Sequence, residues 1–334
     1  MRMPARAHLM NSFAAFIKQW TLPIAIAAGI TGHSFFSRFA PLSIWLLMIM
    51  LFLTFSSLKP RDLGVHRLHF MLLAVQIGGS LISWFILAPL NPVLAQSVSL
   101  CFLIPTATAA PTITGMLGGN VGFLTAYLFL GNFAVILAAP LIIPLISQHH
   151  EGLPFFEFMA RVFYKVTPTL LLPLLLAWGL RLLAPSVSAA IVKKSHVSYY
   201  LWAAMILILI SSTFDTLFSP GQKSIALELS VSASGIGVCI VLFVIGRGAG
   251  RKYRRHIAAG QALAQKNLLF GMWLVFQYLD PAVLISLTAY SIFQNLFNTW
   301  QIWRMEKGYA FMRRRLRERH ACQTSPVKST AGER

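Results

Sequence analysis

An all-α polytopic membrane protein is expected from this chain on three grounds. Hydrophobic residues fill 57% of its 334 positions and charged residues only 11%, with a mean hydropathy of +0.69. The apolar residues gather into ten stretches, each near the ~20 residues that carry a helix across ~30 Å of hydrocarbon. The basic residues alternate across those stretches, 23 on one side and four on the other, the bias that keeps basic loops in the cytoplasm.

In chain order the stretches are Trp20–Phe36, Ala40–Ser57, Leu68–Leu90, Val93–Leu117, Val121–Ser147, Thr167–Leu183, Tyr199–Phe218, Leu229–Ile245, Ile257–Leu279 and Ala282–Trp303. The first is short, and no small-residue cleavage site follows it, so it reads as a span and not as a signal peptide. Ten spans place both termini and the even-numbered loops together. That side collects Arg2, Arg6, Lys18, Lys59, Arg61, Arg67, Arg181, Lys193, Lys194, Arg247, Arg251, Lys252, Arg254 and Arg255, with nine more from Arg304 to Arg334. The other side has only Arg38, Arg161, Lys165 and Lys223. Both termini are therefore expected in the cytoplasm, and the general character of the chain suggests the cytoplasmic (inner) membrane of a bacterium. The formal charge of +19 does not point to nucleic acid, because it is distributed by topology. The run Arg313-Arg314-Arg315-Leu316-Arg317 reads as an anchor beside anionic headgroups, and the last dozen residues, rich in Ser, Thr and Gly, as disordered.

The chain falls into a cytoplasmic N-terminus (1–19), a first five-span repeat (20–147), an outer interfacial linker (148–166), a second five-span repeat (167–303) and a basic cytoplasmic tail (304–334). Phe155-Phe156-Glu157-Phe158-Met159 in the linker reads as a helix lying on the outer surface. Five spans on each side of it insert the second half upside down, the inverted-repeat plan of many secondary transporters. On that plan the fourth and ninth spans correspond, and both are interrupted. The fourth carries Pro105 and Pro111 in mid-membrane, with Thr106, Thr108, Thr112 and Thr114 alongside. Each proline removes a backbone donor and clashes with the preceding turn, and hydroxyls can re-satisfy the freed carbonyls. The ninth carries Gln261 and the triplet Gln265-Lys266-Asn267.

Lys266 is the only charge deep within an apolar stretch. Ammonium groups at that depth are costly and face a cavity, a partner or a ligand path. Asp215, Glu228 and Asp280 lie near the outer ends of spans, so no embedded carboxylate offers a counter-charge. With the positive ends of two half-helices, Lys266 points to a cavity that prefers an organic anion bearing apolar surface. Other signals are weak. Cys101, Cys239 and Cys322 form no metal or redox spacing. His149-His150 reads as a surface loop and Gly246-Arg247-Gly248-Ala249-Gly250 as a cytoplasmic turn, since no strand precedes it to make a phosphate loop. Trp273, Trp300 and Trp303 read as packing or interface anchors. An intramembrane enzyme would need a nucleophile or paired acids at depth, and Lys266 has no embedded carboxylate or histidine partner. Neither catalytic residues nor a metal centre is therefore expected, and the chain is not read as an enzyme. It is read as a monomer whose partners are the lipid bilayer and a small organic anion.

Several segments together resemble the bile acid:sodium symporter family, over about residues 15–303. They are Pro105 through Gly119-Asn120, on to Asn132 and Ala139-Pro140-Leu141-Ile142-Ile143-Pro144; Gly260 through Asn267; and Tyr290-Ser291-Ile292-Phe293-Gln294-Asn295. The resemblance implies ten helices in two domains. The first, second, sixth and seventh form a panel, and the third to fifth and eighth to tenth form a core in which broken helices 4 and 9 cross. It implies a substrate crevice between the domains, alternating access, and transport of bile acids, steroid conjugates or smaller carboxylates, usually with sodium. Lys266, Gln265, Asn267, Thr106, Thr108, Thr112 and Asn295 are then the candidate substrate and crossover residues, and Gln76 and Gln261 a residual ion site.

Against the family pattern, Ala110-Pro111 stands in place of a Ser-Asn pair, Ala262 in place of a glutamate, and Gln265-Lys266-Asn267 in place of Met-Gln-Asn, while Gln76 and Asn267 match and Asn295 matches more loosely. An ammonium ~4 Å from sodium costs roughly 4 kcal/mol at an effective dielectric of 20, about a thousandfold in affinity. The leading expectation is that Lys266 replaces the bound cation, pins the crossover and offers charge to the anion, with sodium coupling lost or weakened. The residues also leave open a Lys266 that carries a proton with the substrate, a symporter with rebuilt sodium sites, a structural lysine paired elsewhere, and a non-transporting sensor of the same fold.

Overall fold

A computed structural model describes residue 21 and residues 23–57, 64–148, 152–194, 197–218 and 224–324. The basic N-terminus (1–19), Lys59 and Arg61, His149-His150, Lys223 and the closing residues 325–334 lie outside the described residues. Every regular element described is a helix, apart from one isolated β-bridge. Among the described residues, six helices are long and apolar enough to cross a membrane: His33–Ser57, Arg67–Leu87, Val121–Ile146, Phe155–Leu183, Tyr200–Phe218 and Ile225–Arg251. Large apolar side chains such as Trp45, Phe70, Phe85, Leu137, Phe156 and Leu183 stand exposed, far more than a water-soluble surface carries as one patch. The protein is an all-helical, multi-pass membrane protein.

The chain forms two compact units, Met1–Gln294 and Asn295–Arg334. In the first, Val121–Ile146 is the most enclosed of the six long helices, with 61% of its most apolar window buried against 17% for Arg67–Leu87. It remains helical through Pro140 and Pro144 and packs against Phe155–Leu183. The helix Ile225–Arg251 packs on both Pro92–Leu103 and His256–Ala264, and Arg67–Leu87 pairs with Pro92–Leu103. Residues 23–31 are helical, and Ala25 packs with Ile206 and Ile210 in a small apolar cluster with Trp202 and Phe214. In the second unit the helix Val283–Thr324, which begins in the first, lays Arg304 over Trp300 and Lys307 over Trp303, at 5.5 and 4.0 Å, one helical turn apart in each case.

Four sequence expectations are corrected. Phe155–Met159 is not a separate interfacial helix, and the sixth span does not begin at Thr167; one helix runs from Phe155 to Leu183. Its buried residues Phe158, Val162, Val166, Leu170, Leu174 and Ala177 form a single stripe, while Glu157, Arg161 and Lys165 lie on the exposed face. Those charges lower the local hydropathy without ending the helix. The gap expected between the first two spans is also helical: a turn His33–Phe36 and a 3-10 segment Ser37–Leu42 containing Pro41 lead straight into Ser43–Ser57. The tenth stretch does not stop at Trp303, because Val283–Thr324 is one helix.

Finally, residues 246–250 are not a turn but the end of Ile225–Arg251. Two of the three glycines there, Gly246 and Gly250, serve contact, while Gly248 faces open space. A Cβ on Gly246 would lie 2.5 Å from the Ala259 carbonyl oxygen, and one on Gly250 2.8 Å from the Ala259 Cβ. The helix therefore touches His256–Ala264 backbone to backbone. Gly235, on the same helix, lies against the Ser286 backbone, whereas Gly237 has open space.

This contrast is testable. Gly235→Ala should lower the thermal midpoint in detergent by several degrees, since overpacking costs about 1–3 kcal/mol. Gly237→Ala should be neutral or slightly stabilising, because alanine is about 0.5–1 kcal/mol better in a helix.

Candidate functional site

Two helix pairs are interrupted in mid-course: Pro92–Leu103 with Ala110–Met116, and His256–Ala264 with Leu268–Tyr278. Their causes differ. In the first, Pro105 drives the residue before it out of the helical region, and Ile104 takes φ −55°, ψ 141°. Pro111 then sits in the first turn of the next half-helix, where its missing N–H costs nothing. The second break has no proline. Gln265 leaves the helix at ψ 85°, and Asn267 restarts it as N-cap, its side-chain oxygen accepting from the Phe270 N–H at 3.4 Å.

The breaks pair with each other. The Ala107 N–H donates to the Gln265 carbonyl at 2.7 Å and the Asn267 N–H to the Pro105 carbonyl at 2.8 Å, forming the antiparallel bridge Thr106–Lys266. Each bridge residue then sends its side chain to the other strand's half-helix. Thr106 Oγ1 donates to the Ala262 carbonyl at 2.7 Å. Lys266 Nζ donates to the Phe102 and Ile104 carbonyls, at 2.7 and 2.9 Å. Gln76 Nε2 donates to the Leu103 carbonyl at 2.8 Å and to that of Ile104 at 3.4 Å, and its own oxygen accepts from Tyr127 Oη at 2.8 Å. Tyr290 Oη caps the Ala264 carbonyl at 2.7 Å, and Gln294 Oε1 accepts from the Lys266 N–H at 2.8 Å.

A helix end leaves its last carbonyls unpaired and carries about half a negative charge there. The end of Pro92–Leu103 receives the Lys266 Nζ as its cap, from a lysine 1% exposed. Unwound carbonyls and half-helix C-termini are where transporters hold cations; here a tethered ammonium occupies such carbonyls.

The structure thus brings together Thr106, Gln265, Lys266, Asn267 and Gln76, all buried. Gln261 is buried on the adjoining half-helix, its carbonyl accepting from the Gln265 N–H at 2.9 Å. Thr108 is partly exposed in the turn after the first break, and Thr112 is exposed on Ala110–Met116. Asn295 belongs to the second unit, where its carbonyl accepts from Thr299 Oγ1 at 2.9 Å. Cys101 and Cys239 are free and buried. Among the described residues no group of three or more His, Cys, Asp or Glu is arranged to hold a metal ion.

A second feature was not legible in the sequence. A cavity of about 650 Å³ lies between His33–Ser57, Phe155–Leu183 and Leu268–Tyr278, and Ser43, Met48, Lys165, Trp273 and Gln277 are among its lining. Lys165 Nζ donates to Gln277 Oε1 at 2.9 Å and stands 5.8 Å from the Tyr278 ring centroid. Lys165 reads in the sequence as one outer charge among four; the only hint is its place on the apolar stripe's polar flank. No protein-family model matches the chain, and comparison with curated proteins finds no match.

Lys266→Met should uncap the Phe102 carbonyl and leave that of Ile104 only its longer bond from Gln76. An unsatisfied buried group costs about 1–3 kcal/mol, so the thermal midpoint in detergent should fall steeply. Thr106→Val, which removes one bond worth about 1 kcal/mol, should lower it only modestly.

Proposed function

We propose that the protein is a secondary transporter of organic anions that works by alternating access, and that Lys266 does permanently at the crossover what a bound cation does in ion-coupled transporters. The observation that carries this reading is the ammonium of Lys266 on the Phe102 and Ile104 carbonyls, where two interrupted helices pair. Interrupted helices are expensive in a bilayer and occur where backbone lines a transport path. A protein that only had to hold itself in a membrane would have no use for two.

A ten-span topology fits the same elements. The six long helices are joined by the two broken pairs, by the helical residues 23–31 and by the helix that begins at Val283. Counted in order, the breaks fall in the fourth and ninth spans, equivalent positions of two five-span halves inserted in opposite senses. That agrees with the sequence resemblance to the bile acid:sodium symporter family, with its panel and core domains, and with a chain whose termini lie in the cytoplasm of a bacterium. The same resemblance, with Lys266 in the crossover, argues for transport that does not need sodium.

The test is uptake of radiolabelled organic anions into proteoliposomes, run in sodium, in potassium and with an imposed pH gradient. Native protein should take up an organic anion equally in sodium and potassium. Strict sodium dependence would return the protein to ordinary symport with rebuilt ion sites. Stimulation by an inward proton gradient would make Lys266 a proton carrier. Binding without uptake in any condition would make the protein a sensor of the same fold.

A further inference from the structure

We propose that the cavity beside Leu268–Tyr278 is the site that binds the organic anion, and that Lys165 and Gln277 grip its single acidic group. The identity of the occupant as a transported solute rests on the reading above, but its binding does not.

The crossover itself leaves little for an anion. Lys266 is 1% exposed and its ammonium is engaged by two carbonyls, while the start of Leu268–Tyr278 is capped by Asn267. The charge that meets a substrate must come from elsewhere. Lys165 is exposed, and its ammonium makes no ion pair with a carboxylate among the described residues. One of its three N–H donors goes to Gln277 Oε1 at 2.9 Å. Engaging that oxygen leaves the Gln277 amide as a donor, and both side chains line the same cavity. A carboxylate or sulfonate that accepts from both receives a charge-assisted pair of hydrogen bonds.

The remaining wall sets the rest of the ligand. About 650 Å³ suits a small organic molecule. Ile44, Met48, Pro168, Trp273 and Phe276 offer apolar and aromatic surface. Thr169 lines the wall too, but its hydroxyl is spent on the Lys165 carbonyl at 2.7 Å. One cation among apolar walls selects a monoanion with a compact apolar body, and disfavours di- and triacids, whose further charges would be desolvated unpaired. The placement also couples the ligand to the crossover. Gln277 and Trp273 sit on the half-helix that starts at Asn267, so an anion at Lys165 lies about ten residues, ~15 Å of helix, from Lys266. The opposite walls come from His33–Ser57 and Phe155–Leu183.

The probes are naphthalene-2-acetate and its uncharged amide, titrated calorimetrically into the purified protein in a nonionic detergent. Native protein should bind the carboxylate, and the amide at least tenfold more weakly. Lys165→Gln, with its thermal midpoint unchanged as the check on folding, should weaken carboxylate binding at least tenfold and leave the amide unaffected. Lys165→Arg should restore most of the affinity. Equal binding of acid and amide, native affinity in Lys165→Gln, or no carboxylate binding by native protein would each overturn the proposal. Displacement of the carboxylate by anionic phospholipid at equal concentration would assign the site to a lipid headgroup and overturn it as well. Vesicle uptake that survives in Lys165→Gln would sink this site and leave the transporter reading intact, whereas Lys165-dependent binding without uptake would do the reverse.

Discussion

Everything at the centre of this protein depends on how two interrupted helices dispose of their broken ends. In hydrocarbon an unsatisfied carbonyl costs several kcal/mol, and the ends at Leu103 and Ala264 expose several. The solution is reciprocal. Thr106 and Lys266 face each other across the one β-bridge, and each caps the other's half-helix. Gln76, held by Tyr127, and Tyr290 complete the set. Removing either bridge residue therefore disturbs both breaks together.

The nature of the cap matters. A metal ion at such carbonyls is exchangeable, and its occupancy follows its concentration. A lysine on the adjoining strand is tethered to the chain, so its place on these carbonyls does not depend on the concentration of a dissolved ion. If the protein transports, the cation contributes binding and geometry but no driving force. The energy must then come from the solute's own gradient or from the membrane potential acting on it.

Close backbone contact is the other constraint. Gly246 and Gly250 let Ile225–Arg251 lie directly on His256–Ala264, the half-helix whose end Thr106 and Tyr290 cap. Small residues at helix contacts are how membrane helices associate when lipid is as apolar as leucine. The helix Leu268–Tyr278 leaves the crossover on the other side and carries Trp273 and Gln277 to the cavity with Lys165.

The sequence by itself determined the membrane class, most of the long helices and the position of both breaks. These follow from hydropathy over ~20 residues and from local chemistry, Pro105 and the triplet Gln265-Lys266-Asn267. Lys266 also stood out, because a charge inside an apolar stretch is a local property. What the ammonium touches was not legible, since backbone carbonyls leave no mark in a sequence and the relevant ones lie 162 and 164 residues away. The same limit hid three other features. Residues 155–166 looked like a linker with a short interfacial helix because Glu157, Arg161 and Lys165 dominate a window average, while the stripe they flank is set by packing. Residues 246–250 looked like a turn because glycine is ambiguous until a neighbouring backbone is in place. Lys165 looked like one charge in a tally of sidedness; only the packing of three helices turned it into the cation of a cavity.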